Sequence, residues 1–183
     1  MQGQKDVPLN EQGRQQTVLT AEYVRQHFDP DAIWASDLSR CADMAEAIGQ
    51  GFKTSELLRE INFGSWEGKT WDEVPVEERA VAGAGGWDPH FRPPGGESRA
   101  DLVTRAQQFM EESRIGEIDG DIVISGHGGS MAGMVVHLLG LPVEATYKFK
   151  FGNASISTVD VTPDLTMMTT FSAAMHLEDL ERA

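Results

Sequence analysis

The sequence is short of several things, and each shortage excludes something. It holds a single cysteine, Cys41, so no disulfide can close within its 183 residues and a reducing compartment is expected. Such a thiol in an Ala-rich helix reads as a small core residue, with no catalytic role. No apolar run reaches the roughly 18 residues that a membrane-spanning helix needs. The opening Met1-Gln-Gly-Gln-Lys-Asp6 lacks the apolar core of a signal peptide, which makes the cytoplasm the expected compartment. Basic residues are scarce. Fifteen Lys and Arg stand against 29 Asp and Glu, a formal net charge of −14. That balance argues against nucleic acid or an anionic membrane as partner. It still leaves room for a small anion, because one or two arginines in a cleft reverse the field locally. His and Cys are nowhere at metal-ligand spacing, so neither a metal nor another cofactor is expected.

What is present describes an ordinary globular chain, 40% hydrophobic and 24% charged, and a single domain over residues 1–183 is expected. The most informative stretch is Asp121-Ile-Val-Ile-Ser-Gly-His-Gly-Gly-Ser-Met131. Its β-branched run, Ile122 to Ile124, predicts a strand buried on both faces. Gly126, Gly128 and Gly129 make a turn around His127. Met131, Met134, Val135, Leu138 and Leu139 then recur at helical spacing until Gly140-Leu-Pro142. His127 is thus presented at the carboxyl end of a strand, where open α/β sheets bind ligands. A core histidine on a glycine-rich turn is the plainer reading of the same residues.

Taken in order, Asn10 predicts the start of a helix running to about His27, with Val18, Ala21, Val24 and Phe28 facing inward. A strand at 32–36 feeds a helix from about Ser39 to Gly49. Thr54 to Leu58 is weakly strand-like. Residues 70–99, with five glycines and four prolines, predict a long connection containing a short helix near Trp71 to Arg79. An amphipathic helix follows from Ala100 to Ile115, and Ile156–Val161 with Leu165–Phe171 predict a closing hairpin. The order gives an α/β fold with a mostly parallel sheet. The first helix has no strand before it, so the sheet is expected to lack its opening strand.

Three positions near predicted strand ends carry chemistry. Arg40 lies in the first turn of a helix, where the macrodipole disfavours a cation. Either a bound anion repairs that conflict, or Arg40 is a surface residue paired with Asp37 or Asp43. Glu60 precedes the Gly64-Ser-Trp-Glu-Gly68 turn. Held against Phe63 and Trp66 it could donate a proton to a leaving group, though a solvated loop glutamate fits too, and Glu67 is its rival. With His127 these make a plausible set for phosphoryl transfer.

Five segments in order resemble the histidine phosphatase superfamily, in its phosphoglycerate-mutase-like branch. They are Gln2-Gly3 through Pro8-Leu9 and Gly13, Ser36-Asp-Leu-Ser-Arg40, Leu58-Arg-Glu60 with Gly64-Ser-Trp-Glu-Gly68, Pro94-Gly-Gly-Glu-Ser98, and Ser125-Gly-His-Gly-Gly129. Asn153-Ala-Ser155 adds to them. The resemblance implies a three-layer sandwich and a small phosphorylated metabolite as substrate. It also implies a phosphohistidine intermediate, with no metal. Arg40 would grip the phosphoryl oxygens, Glu60 would act as acid and then base, and His127 would stabilise equatorial oxygens. Gln2, Gly3 and Gly128 would line the substrate pocket. The chain departs from the family at its opening. The family begins with a strand ending in Arg-His-Gly, which supplies the nucleophile, and no Arg-His-Gly occurs here. Met44 stands where the family often carries Thr. The resemblance therefore implies a phosphatase lineage written without its first strand. A mutase or a non-catalytic anion-binding protein is the alternative.

Overall fold

Three short parallel strands, each with a helix or a tight turn after it, decide where everything else lies. The computed structural model describes residues 1–84 and 88–181. Strand β1 is Pro30–Ser36, β2 is Lys53–Ser55 and β3 is Asp121–Ser125. They form a parallel sheet in the order β2-β1-β3, with Ala35 opposite both Thr54 and Ser125. The helices are α1 Glu11–His27, α2 Ser39–Ile48, α3 Val76–Ala84, α4 Arg99–Ser113 and α5 Gly128–Leu138, with a final turn α6 at Glu178–Glu181. Strands β4 (Ile156–Val161) and β5 (Thr166–Ala173) close the chain as an antiparallel hairpin, a separate two-stranded sheet.

Alternation along the strands sorts the core into two faces. Ile33 and Val123 point to one side and pack with Ala21, Val24 and Ile48 of α1 and α2. Trp34, Ile122 and Ile124 point to the other, against Leu58, Ala106 and Phe109 and against Met134 of α5. Helices on both faces of a parallel sheet give the expected three layers. Residue-level expectations need correction in two places. Val18 is 60% exposed, and the inward stripe of α1 is Thr17, Ala21 and Val24 with Phe28, since position 18 lies about 100° round the helix from position 17. Residues 122–124, expected to be covered on both faces, are only half-buried. Their strand pairs with β1 on one edge, and the opposite edge faces a cavity of about 1240 Å³ with β4 on its far side.

The weak strand at Thr54 to Leu58 divides into β2 and a 3-10 turn, Glu56–Leu58, capped by the Ser55 hydroxyl. The helix expected near Trp71 to Arg79 is likewise two pieces, a 3-10 turn at Trp71–Glu73 and α3, with Pro75 between them. Gly85, Gly86 and Trp87 of the long connection lie outside the described residues.

Candidate active site

Each of the three parallel strands delivers one chemical group to the same end of the sheet. Beyond β1 comes Arg40, beyond β2 and its 3-10 turn comes Glu60, and beyond β3 comes His127. All three line the large cavity, together with Gln2, Gly3 and Gly128.

Arg40 does not pair with Asp37 or Asp43. Its Nε donates to His127 Nδ1 at 3.2 Å, Nη1 to Lys5 O at 2.9 Å and Nη2 to Gly3 O at 2.9 Å. A guanidinium has five N–H groups, so three such bonds leave two for a ligand anion. Asp37 is taken instead by Arg59, whose hydrogen bonds hold its carboxyl below the usual carboxylate range. This pairing takes Asp37, one of the two acids near enough in sequence to neutralise Arg40, away from it.

Glu60 is held by backbone donors. Its Oε1 accepts from Ile61 N at 2.8 Å and from Gly129 N, in the first turn of α5, at 2.9 Å. At Gly129 a Cβ would stand 2.2 Å from that carboxylate oxygen, so any other residue there would push the Glu60 carboxylate aside. Trp66, expected beside Glu60, packs edge-on to Trp71 and beside Phe91 and donates to Glu78. The rival Glu67 is a clasp. It accepts from Gln4 N at 2.8 Å and Phe63 N at 3.2 Å, tying the amino-terminal segment to the Glu60 loop. Gly3, at φ +57°, passes so close to it that a side chain would collide.

His127 is 9% exposed. Burial first, and then the charges of Arg40 and Arg105, push its imidazole down to about 3. It is therefore neutral near pH 7, in agreement with Nδ1 accepting from Arg40 while Nε2 carries the proton. Cys41 Sγ lies 3.4 Å from that Nε2 and donates to Gly126 O at 3.3 Å. Burial pushes the Cys41 thiol up to about 12, so it packs against the imidazole without becoming a thiolate.

One supporting residue escaped the sequence reading. Arg105 of α4 donates to the carbonyls of Leu57, Arg59 and Glu60 at 2.8, 2.9 and 3.2 Å. It also pairs with Glu97, which accepts from Asn62 N at 2.9 Å. Together they fix the backbone that carries Glu60. A signal for Arg105 existed: it sits three residues after Leu102 and four before Phe109, a charge on the apolar face of its helix. Among the described residues no group of His, Cys, Asp and Glu gathers as metal ligands do, and no helix is long and apolar enough to cross a membrane.

A family model for the histidine phosphatase superfamily, branch 1, matches residues 1–173. The chain belongs to that superfamily. The glucosyl-3-phosphoglycerate phosphatase of Mycolicibacterium vanbaalenii is 36% identical over 155 residues, spanning 79% of this chain and 68% of that protein. A probable phosphoglycerate mutase of Erwinia tasmaniensis is 33% identical over 167 residues, 87% of this chain and 76% of its own length. The native structure of mycobacterial glucosyl-3-phosphoglycerate phosphatase superposes with a TM-score of 0.85 at 30% identity, covering 95% of this chain and 91% of that one. In a histidine phosphatase the convergence of Arg40, Glu60 and His127 falls at the strand ends that the sequence pointed to.

Proposed function

We propose that this histidine phosphatase chain carries the phosphate-binding and acid–base parts of a phosphomonoesterase site for a small phosphorylated metabolite, and that the attacking imidazole is not among its 183 residues. Of its five histidines only His127 lines the cleft. His27 stacks on Tyr23, His176 meets Thr20, His137 lies in the last turn of α5 and His90 is exposed. In this reading the free N–H groups of Arg40 hold the phosphoryl oxygens and His127 donates to an equatorial one. Gln2, Gly3 and Gly128 border the substrate. An imidazole nitrogen attacks phosphorus, the bond to the alcohol oxygen breaks, and Glu60 gives its proton to the departing alkoxide. Water then attacks the phosphohistidine, Glu60 takes its proton, and the P–N bond breaks to release inorganic phosphate.

The observation that carries this reading is the meeting of Arg40, Glu60 and His127 within one hydrogen-bonded cluster at the carboxyl ends of three strands. The naming of relatives as phosphatases supports hydrolysis. The likeness to a probable mutase keeps transfer within the substrate as a second reading. Three purified proteins test it on an aryl phosphate and on glucosyl-3-phosphoglycerate: the chain as given, a form extended ahead of Met1 by a strand ending in Arg-His-Gly, and that form with the added His changed to Ala. Only the second should turn over, and it should release inorganic phosphate rather than an isomer. Equal turnover by the unextended chain would make another group the nucleophile and overturn the assignment.

A further inference from the structure

Helix α4 touches both things that the site must keep together, the Glu60 loop and helix α5. Arg105 gives its whole guanidinium to the loop. Nη1 donates to Leu57 O and Arg59 O, Nη2 donates to Glu60 O and Glu97 Oε2, and Nε lies 2.9 Å from Glu97 Oε1. All four terminal N–H groups are taken, so Arg105 keeps none of them for a ligand anion. Carbonyls of residues 57, 59 and 60 converge on one spot, and dipoles so aimed repel one another unless a cation lies between them. Glu97 pins the chain beyond Glu60, accepting from Asn62 N at 2.9 Å and donating its own N–H to Asn62 O at 2.8 Å. One turn earlier on α4, the backbone of Leu102 meets α5. A Cβ built on Gly133 would stand 2.9 Å from both the carbonyl carbon and the oxygen of Leu102, and both residues are buried. Only glycine lets the two helix backbones come this near without a shift.

We infer that α4 is the spacer that sets the gap between the Glu60 carboxylate and the amino end of α5, with Arg105 and Gly133 as its two positioning residues. What it sets is the 2.9 Å hydrogen bond from Gly129 N to Glu60 Oε1. Gly129 lies in the first turn of α5, where a backbone N–H has no acceptor within the helix. Glu60 is thus the partner of that amide, and any widening of the gap is felt there first. Neither Arg105 nor Gly133 lines the cleft, so both act through Glu60 rather than on a substrate. A lysine at 105 keeps the charge but replaces a planar fork by three N–H groups on one atom, too few for the acceptors present. An alanine at 133 leaves the clamp alone and drives α5 away from α4. That Glu60 serves as acid and base rests on the phosphatase reading; the spacing itself does not.

The test is NMR of the folded 183-residue chain, which reads the native state whatever its stability. The unsubstituted protein is compared with Arg105→Lys, Arg105→Gln, Gly133→Ala and, as a control at an exposed position of α4, Gln107→Ala. The Gly129 amide proton should move upfield, toward the position of a water-bonded amide, in both Arg105 variants and in Gly133→Ala. The Asn62 amide should move only in the Arg105 variants, where Glu97 loses its partner. Gln107→Ala should move neither. Affinity for inorganic phosphate in Arg105→Lys should stay within about threefold of the unsubstituted chain. Where Arg105→Gln does not fold, Arg105→Lys and Gly133→Ala carry the test. An unmoved Gly129 signal in either of those two, or an equal shift in Gln107→Ala, would overturn the proposal. So would a tenfold loss of phosphate affinity in Arg105→Lys, which would make Arg105 part of the anion site. Failure of the unsubstituted chain to bind phosphate would sink the phosphatase reading alone, since the Gly129 signal is read without phosphate.

Discussion

His127 is the residue where burial has the most to say about behaviour. Its imidazole titrates near 3 in the folded chain and near 6.5 when unfolded. Between those values the unfolded chain holds the extra proton, so stability from neutral His127 is complete above about pH 6.5 and drains as pH falls toward 3. Asp37 and Asp101, whose carboxyls are held down, add their losses only below about 3.8. Urea unfolding at pH 7.5, 6 and 5 should therefore lose of order 1–3 kcal/mol down the series, and His127→Gln should flatten it. A flat profile in the unmodified protein would show that His127 protonates freely. Arg40→Gln removes a charge-assisted anchor worth about 1.5–3 kcal/mol, so affinity for inorganic phosphate should fall about tenfold or more in calorimetry. The three residues proposed to carry chemistry were readable as candidates because each sits just past a strand. Arg105 left only the trace of a charge on an apolar helix face, and Cys41 left none, since a clamp on carbonyls and a thiol beside an imidazole are relations across 40 or more positions of sequence.

Among the elements, α4 does the most for the site without touching it. Its N-cap Ser98 is 1% exposed and exchanges hydrogen bonds with Asp101, which also pairs with Arg92. The preceding loop reaches back to Asn62 and Ser65, which explains why Pro94-Gly-Gly-Glu-Ser98 stood out as a motif. Ser98→Ala should cost about 1–2 kcal/mol of stability in denaturant unfolding. Gly129→Ala is expected to act differently. It forces the Glu60 carboxylate out of its bond to α5, so in the extended protein kcat should drop by about tenfold or more while phosphate affinity changes little. Equal losses in both would mean that the whole turn has moved. The positions of α1, α2 and α4 were legible from periodicity and caps, with ends off by a residue or two, whereas the helix expected near Trp71 to Arg79 is a 3-10 turn followed by α3. The hairpin was legible from its alternation, but not that it would stand apart from the main sheet, because strand partners separated by long connections leave no local pattern.

For the molecule as a whole, the described residues form a three-stranded sheet with one half-covered apolar edge strand and a hairpin across a cavity from it. Side chains left half-covered forgo half of the roughly 1.5–3 kcal/mol that taking each from water to full burial would give. Three of them together cost a few kcal/mol, a sizeable share of a domain's net stability. The chain of residues 1–183 should consequently melt broadly and bind a hydrophobic dye. A narrow calorimetric melt from a monomer would contradict this. The three-layer plan was readable because strands and helices alternate; the cavity between β3 and β4 was not, because it is walled by residues far apart in sequence. What joins these scales is the claim that groups from three strands, far apart in sequence, form one phosphoryl site. The most direct measurement is an NMR titration of the 183-residue chain with inorganic phosphate, following side-chain and backbone N–H signals. Saturable shifts should appear together at Arg40 Nε, at the Gly128 and Gly129 amides and on the His127 ring, with one dissociation constant, and should vanish in Arg40→Gln. Shifts confined to other basic residues, or separate constants for the three groups, would contradict it.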